Sequence, residues 1–540
     1  MGTLWHNGRI YTMSNENETV EAVYTDCGKI MDTGTLAYIK ETYGEKIDQT
    51  ADLKGNTMLP GLVDSHMHLV GHGERLLRLD LSGMKSREEV LAAVKEKCTL
   101  TPIGEWIVAE GWNENEWSHS ELILLRELDE ISPYNPVILK RICRHALVAN
   151  TQALAESGIS EDVIQPSGGV IGRYEDGDLN GVFKEDPAME LVTANLPGIT
   201  QGYVERALRT AIKDSWSLGL TGCHTEDLHY YNGFTPVYNA FRKVIEEEGM
   251  TLRANLLVHH EVIDDMQSEG FSYGSGSEFI RFDAMKVFAD GSLGGNTALL
   301  SQPYKDKPQT QGVAIFSQEE LDALVEKARR FDMPVAVHAI GDLAFEYVLN
   351  SIEKFPPKKG LTDRLIHAQI VRKDLLDRAK VLPVIFDIQP GFVPSDFPWV
   401  TSKVDKQLLI NSYAWKTYLE MGIVCAGGSD APIEQLNPLL GIHAAVTRMK
   451  PEGEDNTVYG ESERLSMFEA VSLYTTGSAG AILEQKTRGQ IAKGFDADFT
   501  ILDTDIFRNS AEKLLEANVA MTVIAGKSVF QSVKYTTKND

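Results

Sequence analysis

Apolar positions along this chain follow two spacings, and the change from one to the other divides it into three stretches. Up to residue 58, short apolar and β-branched runs alternate with turn residues: Thr3 to Met13, Glu21 to Thr25, a Cys27-Gly28 turn, Lys29 to Asp32 and Ala51 to Met58. This texture predicts a small β unit. It returns after residue 485, with Gly489 to Ile491, Ala497 to Leu502, and a hairpin-like pair, Met521 to Ile524 and Ser528 to Gln531, around Ala525-Gly526-Lys527. The two half-sheets are expected to pair into one β-sandwich domain, residues 1–58 with 485–540.

Between them, over residues 59–484, apolar strands alternate with amphipathic helices, the sign of a parallel sheet with crossover helices. Eight strand candidates can be counted: Leu59 to Ser65, Leu220 to His224, Leu252 to Val258, Ile280 to Lys286, Pro334 to His338, Arg364 to His367, Val384 to Gln389 and Ile423 to Gly427. Helices fit between most of them, among them Ser317 to Asp332, opened by the capping box Ser317-x-x-Glu320, and Gln407 to Gly422, stopped by its glycine. Eight such units close on themselves, so the predicted fold class is α/β, a (β/α)8 TIM-like barrel. The first gap is too long for one crossover. Residues from about 70 to 200 carry their own helices (Ser86 to Cys98, Ser120 to Ile131) and strands (Trp106 to Gly111, Val137 to Ile142, Val170 to Tyr174), and are read as an inserted α+β domain.

Composition narrows the function classes. A chain of 540 residues with 43% hydrophobic content can bury a large core, which excludes a disordered chain. Its 78 acidic against 52 basic residues, a formal charge of −26, argue against nucleic acid or an anionic membrane as partner. No apolar run approaches the roughly 18 residues of a membrane span, and the start MGTLWHNGRI lacks a signal-peptide layout, so a cytoplasmic protein is expected. Five cysteines without a CxxC pair indicate neither a disulfide framework nor a thiolate zinc knuckle. Any metal must be held by nitrogen and oxygen.

The strongest local signal is His66-Met67-His68, directly after an apolar strand. Residues i and i+2 of an extended chain point to one side, so both imidazoles can reach one metal. Taken alone the pair is equally well two half-exposed polar residues. Three more strand ends supply ligand types, however: His338 and His367 each close an apolar strand, and Asp430 follows another in Ala426-Gly427-Gly428-Ser429-Asp430. A barrel gathers its C-terminal strand ends into one mouth. Lys286 is the fifth element. Burial in the apolar strand Phe282 to Phe288 disfavours its charged form, and a neutral amine can capture carbon dioxide as a carbamate, a carboxylate-like bridge between two cations. The alternative is a lysine that snorkels to the mouth or pairs with Asp290.

The series His66-x-His68, Lys286, His338, His367, Asp430, flanked by half-sheets from both chain ends, resembles the amidohydrolase superfamily of metal-dependent hydrolases. Leu59-Pro60-Gly61-Leu62-Val63-Asp64-Ser65-His66, Lys286-Val287-Phe288-Ala289-Asp290-Gly291-Ser292, Ala497-Asp498-Phe499, and, in the insertion, Glu110-Gly111-Trp112 and Arg144-His145-Ala146 look like its N-substituted formamide deformylase-like branch. The resemblance implies that His66, His68 and Asp430 hold the more buried metal, that carbamylated Lys286 bridges, and that His338 and His367 hold a second one. Two divalent ions are implied, zinc first among those suited to nitrogen and oxygen donors. Activated hydroxide would attack a carbonyl, with Asp430 taking the proton and delivering it to the leaving nitrogen, so that a C–N amide-type bond (N-acyl, N-formyl or cyclic amide) of a small molecule is hydrolysed. His145 and Trp112 are candidates for substrate contact, each equally well a packed residue, and Glu185 is given a structural or substrate-side role. The competing readings are a mononuclear deaminase of the same superfamily, which would not need Lys286, and a non-catalytic assembly protein on this fold. A homo-oligomer is compatible with the sequence, which marks no interface.

Overall fold

The computed structural model describes all residues except 115, 116, 118–120, 142–145, 167, 168, 195, 197–199, 452–456 and 534–540, and the side chain of residue 186. The chain forms two compact units: Met1–His72 with Leu208–Asp540, and Gly73–Ala207.

The first unit carries the barrel. Its eight parallel strands are β1 (Leu62–Met67), β2 (Leu220–Thr225), β3 (Arg253–His259), β4 (Ile280–Phe288), β5 (Val335–Ala339), β6 (Asp363–His367), β7 (Val384–Ile388) and β8 (Cys425–Gly427), hydrogen-bonded in sequence order with β1 beside β2. The ladder runs unbroken from β1 to β8. The seam between those two is bridged just beyond β8, where the Asp430 amide donates to the His66 carbonyl over 2.8 Å, so the barrel is nearly closed. Crossover helices fit their sequence signals. Gln318–Arg330 is opened by Ser317 with Glu320 completing the capping box. The predicted helix Gln407 to Gly422 is instead two pieces, Lys406–Leu409 and Trp415–Glu420. Between them Tyr413 takes a φ of 51° and is fully buried, its amide donating to the Gln369 carbonyl and its hydroxyl to Asp396. Anchoring that ring breaks a run whose apolar spacing is helical.

The same unit holds an eight-stranded sheet in which Thr57–Pro60 pairs with Thr3–Tyr11 on one side and, antiparallel, with Phe499–Leu502 on the other. The chain ends thus share one hydrogen-bonded sheet. Two predicted strands differ. Ala51 to Met58 is two strands, Gln49–Asp52 and Thr57–Pro60, and Gly489 to Ile491 is an irregular segment tied to the sheet through the Ile491 amide and the Thr12 carbonyl. Gly61 separates this sheet from β1, so the predicted strand Leu59 to Ser65 is divided between two sheets. A Cβ there would lie 2.2 Å from Thr221 Oγ1, which is why the passage needs glycine. Thr500 links sheet to barrel: its hydroxyl accepts from the Leu62 amide and donates to the Gly219 carbonyl.

The second unit is built on a six-stranded mixed sheet, Val170–Arg173, Leu179–Lys184, Ala146–Ala149, Val137–Arg141, Ile107–Trp112 and Leu79–Asp80 in spatial order, with helices Arg87–Leu100 and Leu125–Ile131. The start of the predicted helix at Ser120 lies outside the described residues, as does Ile142 at the end of a predicted strand. Among the described residues no helix is long and apolar enough to cross a membrane.

Candidate metal centre

Six side chains from five barrel strands meet at the C-terminal ends of those strands. His66 and His68 stand at the end of β1, Lys286 near the end of β4, His338 on β5, His367 at the end of β6, and Asp430 three residues after β8. Asp430 Oδ1 lies 3.5 Å from both His66 Nε2 and His68 Nε2. Lys286 Nζ is 3.3 Å from His66 Nε2. The His367 ring centroid is 5.7 Å from that of His66 and 4.4 Å from that of His338. Strand alternation accounts for the convergence, since each strand turns one side chain inward at the level where its ladder ends. His367 and Asp430 also take left-handed backbone angles, φ 77° and 58°, a local strain of about 1–3 kcal/mol of the kind found at functional sites.

Three of the imidazoles are oriented by acceptors behind them. His68 Nδ1–H donates to the Glu226 carbonyl over 2.7 Å, His367 Nδ1–H to Gln389 Oε1 over 2.8 Å, and His338 Nε2–H to the Gly291 carbonyl over 3.0 Å. Each therefore turns its other nitrogen to the centre, the arrangement that fixes tautomer and ring plane in metal sites. Gln389→Leu is expected to weaken metal binding by about 10- to 100-fold, read by chelator competition, because such outer partners contribute that much; unchanged affinity would remove Gln389 from this role.

Electrostatics follow from burial. It pushes His367 down to about 4 and holds His66 and His338 well below the usual histidine range, aided by Lys286 beside His66 and by His367 beside His338. Burial likewise lowers Lys286, against the opposing charges of Glu226 and Asp430. Burial alone would neutralise His68, but its hydrogen bond to Asp430 and the charge of Glu226 raise it to about 9. Asp430 shows the converse: burial would raise it, and His68, His367 and Lys286 hold it below the ordinary carboxylate range. Lys286 is fully buried, lies over the Phe288 ring at 4.3 Å, and has no carboxylate within ion-pair distance among the described residues. It does not pair with Asp290, whose oxygens accept the amides of Leu299, Ile340 and Gly341.

Two supports under the centre are given no role by the sequence. Asp64, buried on β1, accepts the amides of His66 and Ser429, so it fixes the loop leading to Asp430 against β1. Arg364, buried on β6, donates to Asp283 on β4, Asp387 on β7 and the Ser65 carbonyl on β1. Glu226, just past β2, was also missed. It is fully buried, and its Oε2 lies 3.6 Å from His68 Nδ1. An anion so placed is the kind of group a cation would compensate. With imidazole nitrogens and a carboxylate oxygen converging at 3.5 Å, and the buried Glu226 carboxylate alongside, the residues present fit a borderline divalent metal.

The remaining candidates belong to the second unit or lie outside the described residues. His145 and its neighbour Arg144 lie outside the described residues. Trp112 is buried in the core of the second unit against Trp117, with the Arg141 guanidinium 5.9 Å from its ring. Glu185 takes a φ of 65° as the residue that opens helix Asp186–Thr193.

A parallel eight-stranded barrel with histidines and an aspartate gathered at its strand ends is the arrangement of a metal-binding barrel protein. The amidohydrolase family pattern matches residues 49–530, and the chain belongs to that family. It is 47% identical over 532 residues to the amidohydrolase-type protein YtcJ of Bacillus subtilis (strain 168), spanning 98% of this chain and all of YtcJ. It is 24% identical over 537 residues to the N-substituted formamide deformylase of Arthrobacter pascens, covering 96% of each chain. Among solved structures, an uncharacterized metal-dependent hydrolase from Pyrococcus horikoshii OT3 superimposes with a TM-score of 0.77 at 29% identity, over 95% of this chain and 99% of that one.

Proposed function

We propose that this amidohydrolase cleaves a C–N amide-type bond in a small molecule, using two divalent cations, zinc first, held by His66, His68, Lys286, His338, His367 and Asp430. The observation that carries the reading is the meeting of these six side chains, with Asp430 Oδ1 at 3.5 Å from two imidazole nitrogens. The cations, when bound, supply Lewis acidity toward the carbonyl oxygen and make water available as hydroxide near neutral pH. The protein's own groups do the rest. Asp430, held ionised by His68, His367 and Lys286, accepts a proton at Oδ1 from the attacking water and returns it to the leaving nitrogen. Lys286, whose charged form burial disfavours, could once deprotonated add to carbon dioxide: a bond would form between Nζ and carbon, one proton would leave, and the resulting carbamate would supply an anionic oxygen ligand. The N-substituted formamide deformylase among the relatives supports the amide class. Small-molecule substrates rather than nucleic acid or membranes fit the acidic balance.

The test is metal analysis combined with a screen of N-acyl amino acids, N-formyl amines, cyclic amides and carbamates. The expected outcome is hydrolysis that chelation abolishes and metal restores, with Lys286→Ala losing one metal equivalent and the acid-labile carboxylate seen in native mass. Full activity in a preparation free of transition metal defeats the proposal. One tight equivalent with ammonia released from amino-heterocycles would favour the mononuclear deaminase, a reading compatible with the ligand atoms of His66, His68 and Asp430 lying within 4.8 Å of one another.

A further inference from the structure

Beside this centre the barrel mouth carries a second set of ligand-capable side chains that hydrolysis leaves unused. His229 lies in the segment following β2, His259 is the last residue of β3, and Glu261 stands two residues beyond it. One ligand atom from each lies within 4.8 Å of the others. The His229 and His259 rings are stacked, with centroids 4.3 Å apart and 15° between planes, and His229 Nε2 is 3.5 Å from Glu261 Oε2. The Glu261 amide donates to His259 Nδ1 over 3.3 Å, at the long end of hydrogen bonding and therefore easily exchanged for a stronger ligand. We propose that His229, His259 and Glu261 form a further divalent-cation site for zinc-, nickel- or copper-class ions, distinct from the hydrolytic centre.

The donor chemistry argues for a cation of this class. The stacked imidazoles of His229 and His259 offer nitrogen donors side by side, and Glu261 supplies a carboxylate oxygen. Imidazole with carboxylate selects zinc, nickel or copper over magnesium and calcium, which favour oxygen shells. Three protein donors leave a coordination position for water or for an anionic group of a substrate.

Aromatic rings stand between the two sites. The Tyr230 centroid is 6.1 Å from His68 and 6.2 Å from His259, and Phe288 lies 6.0 Å from His259 and 5.2 Å from His338. No ligand is shared with the six-residue centre. His229 and Glu261 are partly open to solvent, with side chains 34% and 57% exposed. The site should therefore exchange its ion faster than the buried centre, and substitutions there should leave folding intact.

The experiment uses the purified holoenzyme, whose tightly held metal is counted first, followed by equilibrium dialysis against graded free zinc without substrate. Wild type is expected to take up one equivalent beyond the tight content. In His229→Asn and in Glu261→Gln the affinity for that equivalent should fall by at least the roughly 10- to 100-fold that loss of even an outer-shell partner causes. Tight metal content and basal turnover in zinc-free buffer should be unchanged in both variants. Cobalt added to the holoenzyme should give a visible absorption band that both variants lack. Equal uptake of zinc by wild type and both variants overturns the proposal, as does displacement of the extra zinc by equimolar magnesium or calcium. The count is made relative to the tight metal and without turnover, so failure of the amide-hydrolysis reading would leave this result intact, and the reverse also holds.

Discussion

Asp430→Asn is expected to lower kcat/KM by about 100- to 10,000-fold, the range that loss of a positioned acid–base group produces. The substitution keeps shape and position, because the backbone amide of Asp430 is tied to the His66 carbonyl at 2.8 Å and the Ser429 amide to Asp64 at 3.0 Å. What it removes is the charge and the ability to accept a proton. Asparagine can neither take the proton from water nor complete the pair of 3.5 Å contacts to His66 and His68 as an anion. The two losses are separable. Saturating metal should restore occupancy of the variant without restoring turnover. Activity within a few-fold of wild type at full metal content would show that another group moves the proton.

Much of this centre was legible in the sequence because a barrel converts a one-dimensional signal, a polar residue closing an apolar strand, into a three-dimensional one. His367 closes its run as expected, His338 stands one residue before β5 ends at Ala339, and β1 carries His66 before ending at Met67, with His68 just beyond. The supporting residues were illegible for the opposite reason. Asp64, Glu226 and Gln389 are single polar residues within or after strands, and only the partner strand reveals what each faces: Ser429, His68 and His367, respectively. The helix broken at Tyr413 and the strand divided at Gly61 escaped for a related reason, since each is decided by a distant neighbour, Asp396 for one and Thr221 for the other. Local spacing cannot carry that information. The terminal half-sheets, by contrast, pair as their texture suggested, through Thr57–Pro60 and Phe499–Leu502.

The layer beneath the centre shows how such a hidden contact governs stability, and Arg364→Met is the substitution expected to reveal it. Arg364, Asp283 and Asp387 are all buried, and the guanidinium reaches both carboxylates, at 2.6 and 2.7 Å, and the Ser65 carbonyl at 2.7 Å. An apolar side chain of similar length leaves two carboxylates buried without their counter-charge, and breaking a buried pair in this way destabilises by about 3–5 kcal/mol. The denaturant midpoint of the barrel unit should fall accordingly. Because Ser65 immediately precedes His66, metal affinity should fall with it, even though Arg364 touches no ligand. Replacing the whole cluster separates charge from packing: adding Asp283→Asn and Asp387→Asn to Arg364→Met should recover much of the lost stability, since the destabilising element is the uncompensated charge. If the triple variant is less stable than Arg364→Met alone, the hydrogen-bond geometry of the layer, and not its charge balance, is what holds β1, β4, β6 and β7 together at the depth where the metal ligands begin.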